Sequence, residues 1–141
     1  MIVTLEMLRS KGACPEQVEA FEERFGSEAQ VTVELAVRHA MVFDWGWART
    51  HLLSDEARGI YDAAMVHTLR ADTQARDKAW ADYTQAGGGA QHSYNRAPIE
   101  PWLGYNEAMD KARSAYNEAM DEARRAYAEG SARAFATAAS A

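Results

Sequence analysis

Tyrosine recurs on a fixed period through most of this chain. Tyr61, Tyr83, Tyr94, Tyr105, Tyr116 and Tyr127 are all of its tyrosines, and all six fall on one 11-residue grid that only Asp72 interrupts. The period is sharpest near the end. Residues 105–115 read Tyr-Asn-Glu-Ala-Met-Asp-Lys-Ala-Arg-Ser-Ala, and residues 116–126 repeat them with changes only at Lys111/Glu122 and Ser114/Arg125. A third, decayed copy starts at Tyr127. Three positions beyond each grid point stand Ala64, Ala75, Ala86, Ala97, Ala108, Ala119 and Gly130, every one of them small.

Eleven residues make three turns of about 3.67 residues each, close to the straight α-helix. The grid tyrosines therefore line one helical face, roughly 16 Å apart. Tyr105, Met109, Tyr116, Met120 and Tyr127 form a stripe about 60° wide, flanked by Ala108, Ala112, Ala119 and Ala123. Such a stripe is read first as internal packing and second as a docking face. Glu107→Lys111 and Asp121→Arg125 have the favourable i, i+4 orientation on a helix.

Gly87-Gly88-Gly89 is poor helix interior, and Pro98 and Pro101 add two breaks. The expectation is a helix over 55–86, a loop over 87–101 and a helix over 102–136. The two helices fold back as an antiparallel hairpin. The tail from Ala134, and 137–141 above all, is expected to fray.

The apolar residues divide by position. Of the 29 alanines, 23 lie after residue 53, whereas 15 of the 21 Leu, Ile, Val and Phe residues lie before it. Residues 1–53 can thus build a conventional core, and residues 54–136 a thin helical seam. Four short helices are expected in 1–53. Leu5, Met7 and Leu8 lie on the first, which Gly12 ends. Pro15 starts the second, where Val18, Phe21 and Phe25 share a face and Gly26 closes it. Gln30-Val31-Thr32-Val33-Glu34 reads as a short strand or a helix entry with Thr32 as its cap. Leu35, His39 and Val42 follow on a third helix. Asp44 caps a fourth from Trp45 to Leu53, and Ser54 caps the long helix. The fold class is all-α: a small N-terminal helical cluster on a long antiparallel hairpin, one domain at this length.

Composition narrows the function. No apolar run reaches the roughly 20 residues of a membrane span, and the N-terminus lacks the pattern of a signal peptide. The lone Cys14 has no internal partner. These features point to a cytoplasmic location. A net charge of −6 gives no basic surplus for phosphate, so direct nucleic-acid binding is not expected. His39, His51, His67 and His92 show no metal-site spacing, so neither a metal nor another cofactor is expected. Cys14 has no positioned base nearby in sequence and reads as a buried thiol. Gly87-Gly88-Gly89 lacks the Lys-Ser/Thr of a P-loop, and no nucleophile elbow is present. No catalytic residue is assigned.

What remains is interaction chemistry. Phe43, Trp45 and Trp47 are dense in aromatics, with Trp80 and Trp102 further on. Tryptophan glues helices together or anchors an interface. Trp45 and Trp47 are two apart and cannot share a helical face, so one of them is the best hot-spot candidate. Asp55, Glu56, Glu107 and Glu118 are the acidic candidates for contact with a partner.

At residues 12–21, Gly-Ala-Cys-Pro-Glu-Gln-Val-Glu-Ala-Phe, and 43–54, Phe-Asp-Trp-Gly-Trp-Ala-Arg-Thr-His-Leu-Leu-Ser, the chain resembles a group of bacteriophage and prophage proteins. These join a short N-terminal helical segment to a variable run of Ala/Glu/Arg/Tyr repeats. The match covers residues 5 to 54, with the repeats filling the rest. The group carries no assigned activity, so the resemblance transfers no functional residue. It implies a small phage protein made in a bacterial cytoplasm, of a kind that often binds host machinery, including CRISPR-Cas and other defences. The expected function is a non-enzymatic protein-binding module that occludes a surface of a host protein or complex, such as a basic nucleic-acid-binding face. A self-assembling structural phage component is the alternative, and the oligomeric state is left open.

Overall fold

The structure is a computed structural model that describes residues 1–96 and 101–141, and the side chains of all of these except 96, 101 and 102. It is all-α apart from one small ribbon. In order the elements are β1 (Ile2–Thr4), α1 (Leu5–Ser10), α2 (Pro15–Phe25), β2 (Glu28–Gln30), α3 (Val33–Arg38), α4 (Trp45–Leu52), α5 (Asp55–Arg96) and α6 (Pro101–Ala138). The long α5 packs on α6 as a hairpin. The chain divides into two compact units, Met1–Leu69 with Arg125–Ala141, and Arg70–Arg124.

In the first unit the sequence punctuation acts as local chemistry requires. Thr4 accepts the amide of Met7 at 3.1 Å and starts α1. Gly12 and Gly26 take φ of 75° and 71°, left-handed values that cost other residues energy. Pro15 opens α2. Thr32 caps α3 through the amide of Leu35 at 3.1 Å, and Asp44 caps α4 through that of Trp47 at 2.9 Å. Ser54 accepts the amide of Ala57 at 3.2 Å and starts α5.

The N-terminus holds a surprise. β1 pairs antiparallel with β2, Ile2 opposite Gln30, Val3 opposite Ala29 and Thr4 opposite Glu28. The strand of this region is therefore 28–30, which takes only Gln30 of the stretch from residue 30 to 34; the rest becomes the entry to α3. Three residues are too short for a periodic signal, and the ribbon exists because Val3 buries against Leu5, Leu8, Val18 and Phe21. α3 also stops early. It ends at Arg38, with His39 as its C-cap, so Val42 lies beyond it.

Two expectations about the long helices are corrected. Residues 87–96 are helical and not loop, because α5 runs unbroken through all three glycines to Arg96. Residues 97–100, including Pro98, lie outside the described residues. Each glycine costs about 1 kcal/mol against alanine, but the pairing with α6 on both sides outweighs that. Ala90 is buried, Tyr94 meets Tyr105 edge to face at 5.8 Å, and a methyl group on Gly87 would touch the Met109 sulfur at 3.7 Å. The tail is helical further than expected, with residues 139–141 following as turn and irregular chain. α6 continues to Ala138, and Phe135, Ala136 and Ala138 are among the most buried residues of the protein.

The reason for that order lies in the first unit. Phe135, 1% exposed, packs with Tyr61, Met65, Leu53 and Ala48, and its ring meets Trp45 at 5.5 Å. Ala132 and Ala136 pack on Ala36 and Ala40 of the α3 region. The last turns of α6 thus complete the core that residues 1–53 begin. The Tyr61 hydroxyl and the Ser131 hydroxyl bond at 2.6 Å inside this core. A Cβ on Gly130 would fall 2.5 Å from Thr68 Cγ2, so the α5 and α6 backbones approach closely there.

In the second unit the period becomes a seam. Tyr83, Gly87, Ala90 and Tyr94 on α5 are wholly or partly buried, as are Tyr105, Met109, Ala112, Tyr116, Met120 and Ala123 on α6. These are the grid positions and the positions four and seven beyond them. Tyr83 meets Tyr116 at 5.5 Å. Where Asp72 interrupts the grid, the residue four places on is Arg76, and the two form an i, i+4 ion pair at 2.8 Å. Among the described residues of α6, Asp110 pairs with Arg113, three apart, and the expected pairs at 107/111 and 121/125 do not form.

Candidate functional site

Both candidate tryptophans are spent on the core of the first unit. Trp45 donates its indole N–H to the Ala40 carbonyl at 3.0 Å and packs between Phe43 and Phe135. Trp47 stacks on His51, rings 16° apart and 4.6 Å between centroids, and reaches residues of two core clusters. Each is half-buried. They diverge as their spacing requires, yet neither is exposed. Asp55 and Glu56 sit exposed in the first turn of α5, where carboxylates complement the helix dipole. Asp55 also pairs with Arg58 at 2.8 Å. Glu107 and Glu118 are exposed on α6 in the second unit. The six candidates therefore do not form a single patch within either unit.

Among the described residues, the most exposed tryptophan is Trp80. It is 58% exposed and leans on the seam, its ring 5.9 Å from Tyr83 and 6.2 Å from Tyr116. The signal for this was in the phase. Ala79 occupies the buried position seven beyond the grid point at 72, and Trp80 stands one residue past it, rotated about 100° out of the seam. Arg76 and Asp77, four and three residues before it, are its charged neighbours on the α5 surface. A large rigid ring with a polar rim on a helical scaffold is the arrangement that carries most binding energy at protein interfaces. Trp102, the fourth tryptophan, has no described side chain.

A second feature lies wholly within the first unit. A cavity of about 70 Å³ opens among α2, α3, α4 and the turn before α4, with Phe21, Phe25, Leu35, Phe43 and Trp45 in its wall. Three polar side chains line it: Gln17, His39 and Asp44. Gln17 acts as a clamp, donating to the Val42 carbonyl and accepting the Asp44 amide, both at 3.0 Å. Asp44 is committed to its capping bond. His39 lies edge-on to Phe25 at 5.1 Å and near Phe43 at 6.5 Å. Burial, with the Arg24 and Arg38 guanidinium groups adding to it, holds the imidazole below its ordinary pKa.

At the corner between α4 and α5, Arg49 grips Asp62 with two hydrogen bonds and lies over the Tyr61 ring, 5.9 Å from its centroid. The hydrogen bond to Arg49 holds the Asp62 carboxyl below its usual range. Arg58 reaches back to the Thr50 carbonyl at 2.8 Å. These contacts fix the angle at which the cluster leaves α5, and they are structural.

No convergence of reactive groups accompanies these features. Cys14 is exposed and not buried as its sequence context suggested; it caps α2 with backbone alone. Among the described residues, no three of His, Cys, Asp and Glu gather closely enough to hold a metal ion. His92, expected in a loop, is an exposed residue of α5. No helix among the described residues is long and apolar enough to cross a membrane. Comparison with family models, with curated proteins and with solved structures finds no match to this chain.

Proposed function

We propose that this chain is a non-enzymatic protein-binding module that acts by covering a surface of a host protein or complex. The observation that carries the reading is Trp80, more than half exposed on a helix of the hairpin and backed by Tyr83 and Tyr116. Leaving a tryptophan in water forgoes stabilisation of about 1.5–3 kcal/mol or more that burial would supply. An interface recovers it. The net charge of −6 favours a partner with a basic surface and steers its approach. Phage origin, a bacterial cytoplasm and a defence complex such as CRISPR-Cas as the target rest on the resemblance described above.

Photocrosslinking tests this. Benzoylphenylalanine is placed at Trp80 and, as a control, at exposed Glu19 on α2, and each protein is expressed in a bacterial host. The reading expects one host protein to crosslink from position 80 and not from position 19. Crosslinks between two copies of the chain would favour the self-assembling alternative. The same products from both positions, or none, would also overturn the proposal.

A further inference from the structure

Between residues 72 and 82 of α5 the charged side chains pair with one another in every case but one. Arg76 turns to Asp72, whose two carboxylate oxygens accept its Nε–H at 2.9 and 2.8 Å. Lys78 pairs with Asp82. Asp77, exposed like Trp80, has no ion-pair partner among the described residues. Its place relative to the indole follows from the helix. Tyr83 and Asp77 stand three residues after and three before Trp80, so each lies about 60° round the helix from it, one on either side. Tyr83 meets the ring from the seam, centroids 5.9 Å apart. Asp77 stands on the side away from the seam. Helical side chains lean toward the helix N-terminus, which carries the Trp80 ring over the turn that holds Asp77.

Taking Trp80 as the anchor of an interface, on which this step rests, we infer that the partner meets it with an arginine, its guanidinium plane laid on the exposed indole and its N–H groups donating to the Asp77 carboxylate. Each part of that side chain finds what it needs. An indole face attracts a cation, and tryptophan does so best of the aromatic residues. The ring already leans on Tyr83 and Tyr116, at 5.9 and 6.2 Å, so little freedom is lost when a second plane stacks on it. A carboxylate one turn back can accept two parallel N–H bonds, which the guanidinium fork supplies and an ammonium group does not. Lysine satisfies the charge but not both contacts at once. Arg76 does not fill the place itself, because Asp72, one turn further back, holds it. The net charge of −6 draws a basic surface toward the chain from a distance.

Acetylated and amidated triarginine, trilysine and tricitrulline peptides are the probes, followed by amide and indole proton–nitrogen correlation spectra of the full chain. The Trp80 indole N–H is assigned by its loss in Trp80→Phe. Triarginine is expected to give saturable shifts at that indole and at the Asp77 amide. Trilysine, equal in charge, should bind about tenfold more weakly. Tricitrulline, equal in shape but uncharged, should give no saturable shift. Asp77→Asn should weaken triarginine about tenfold, the worth of about one charge-assisted hydrogen bond, with an unchanged circular dichroism spectrum. Equal affinity for triarginine and trilysine would overturn the proposal. So would triarginine binding that Asp77→Asn leaves intact, saturable shifts confined to other residues, or an absence of saturable shifts. A dimer of the free chain that Asp77→Asn dissolves would assign the contact to a second copy and overturn it too. The host protein crosslinked from position 80 keeps the two readings apart. If it binds wild-type and Asp77→Asn chains equally, the arginine contact falls and the Trp80 interface stands; if no host protein crosslinks there, the interface itself falls.

Discussion

Gly130→Ala should destabilise this protein, although the same change in most helices stabilises it. Gly130 lies inside α6, where alanine is worth about 1 kcal/mol more than glycine on propensity alone. Against that stands the packing. The added Cβ would sit 2.5 Å from Thr68 Cγ2, 2.6 Å from its Oγ1 and 3.1 Å from its Cβ. Threonine branches at Cβ and cannot swing clear of a contact that reaches its own Cβ, so the helices must part. Overpacking of this kind costs roughly 1–3 kcal/mol, and the clash is severe enough to take the upper part of that range. The net expectation is a loss of about 1–2 kcal/mol, a fall in Tm of several degrees at this chain length. Urea denaturation followed by circular dichroism measures it, with Thr68→Ala and the double variant completing a thermodynamic cycle. In the Thr68→Ala background the clash is gone, and Gly130→Ala should become neutral or stabilising. A stabilising effect of Gly130→Ala in the wild-type background would refute the close approach of α5 and α6. Identical effects in both backgrounds would refute the role of Thr68.

Phe135→Ala should cost about 3–5 kcal/mol, because the ring is fully buried between the cluster and the hairpin; calorimetry showing less than about 1 kcal/mol would mean that the tail is frayed after all. Gly88→Ala and Gly89→Ala meet nothing within 4 Å, so each should raise stability by about 0.5–1 kcal/mol and slow amide exchange over residues 87–96, whereas a loop there would show neither effect. Burial raises the Tyr61 pKa, opposed by its bond to Ser131. A phenol whose folded pKa lies above the unfolded value near 10 lends stability that is intact below about pH 10 and lost as pH climbs through the folded pKa. Tyr61→Phe should therefore flatten the alkaline limb of the stability profile while costing about 1 kcal/mol at neutral pH; an unchanged alkaline limb would contradict it.

How far the sequence spoke depended on the kind of signal. Caps were legible because one side chain decides each: Thr32, Asp44 and Ser54 bond the amides their positions required. The 11-residue period located the hairpin and its face. The small residues three beyond each grid point, read as flanking that face, are exposed at Ala64, Ala75, Ala86 and Ala108 and partly buried at Ala119. At Gly130 that position faces Thr68 closely enough to demand a small residue. The triple glycine misled because propensity is local and pairing along a long seam is not. The burial of Phe135 was invisible because it depends on partners 70 to 90 residues away in sequence. Trp45 and Trp47 attracted notice by density, whereas Trp80 carries the exposure, one residue out of phase with the seam.

The reading of this protein as a binding module rests on that residue. The decisive measurement is the affinity of the host protein crosslinked from position 80, compared between wild-type chain and Trp80→Ser, with matched circular dichroism. The exposed ring has little to do for the fold, so the variant should remain folded. If Trp80 anchors the interface, the variant should bind about thirtyfold or more weakly, the loss of roughly 2 kcal/mol that marks a hot spot. Equal affinity in the two proteins would contradict the account.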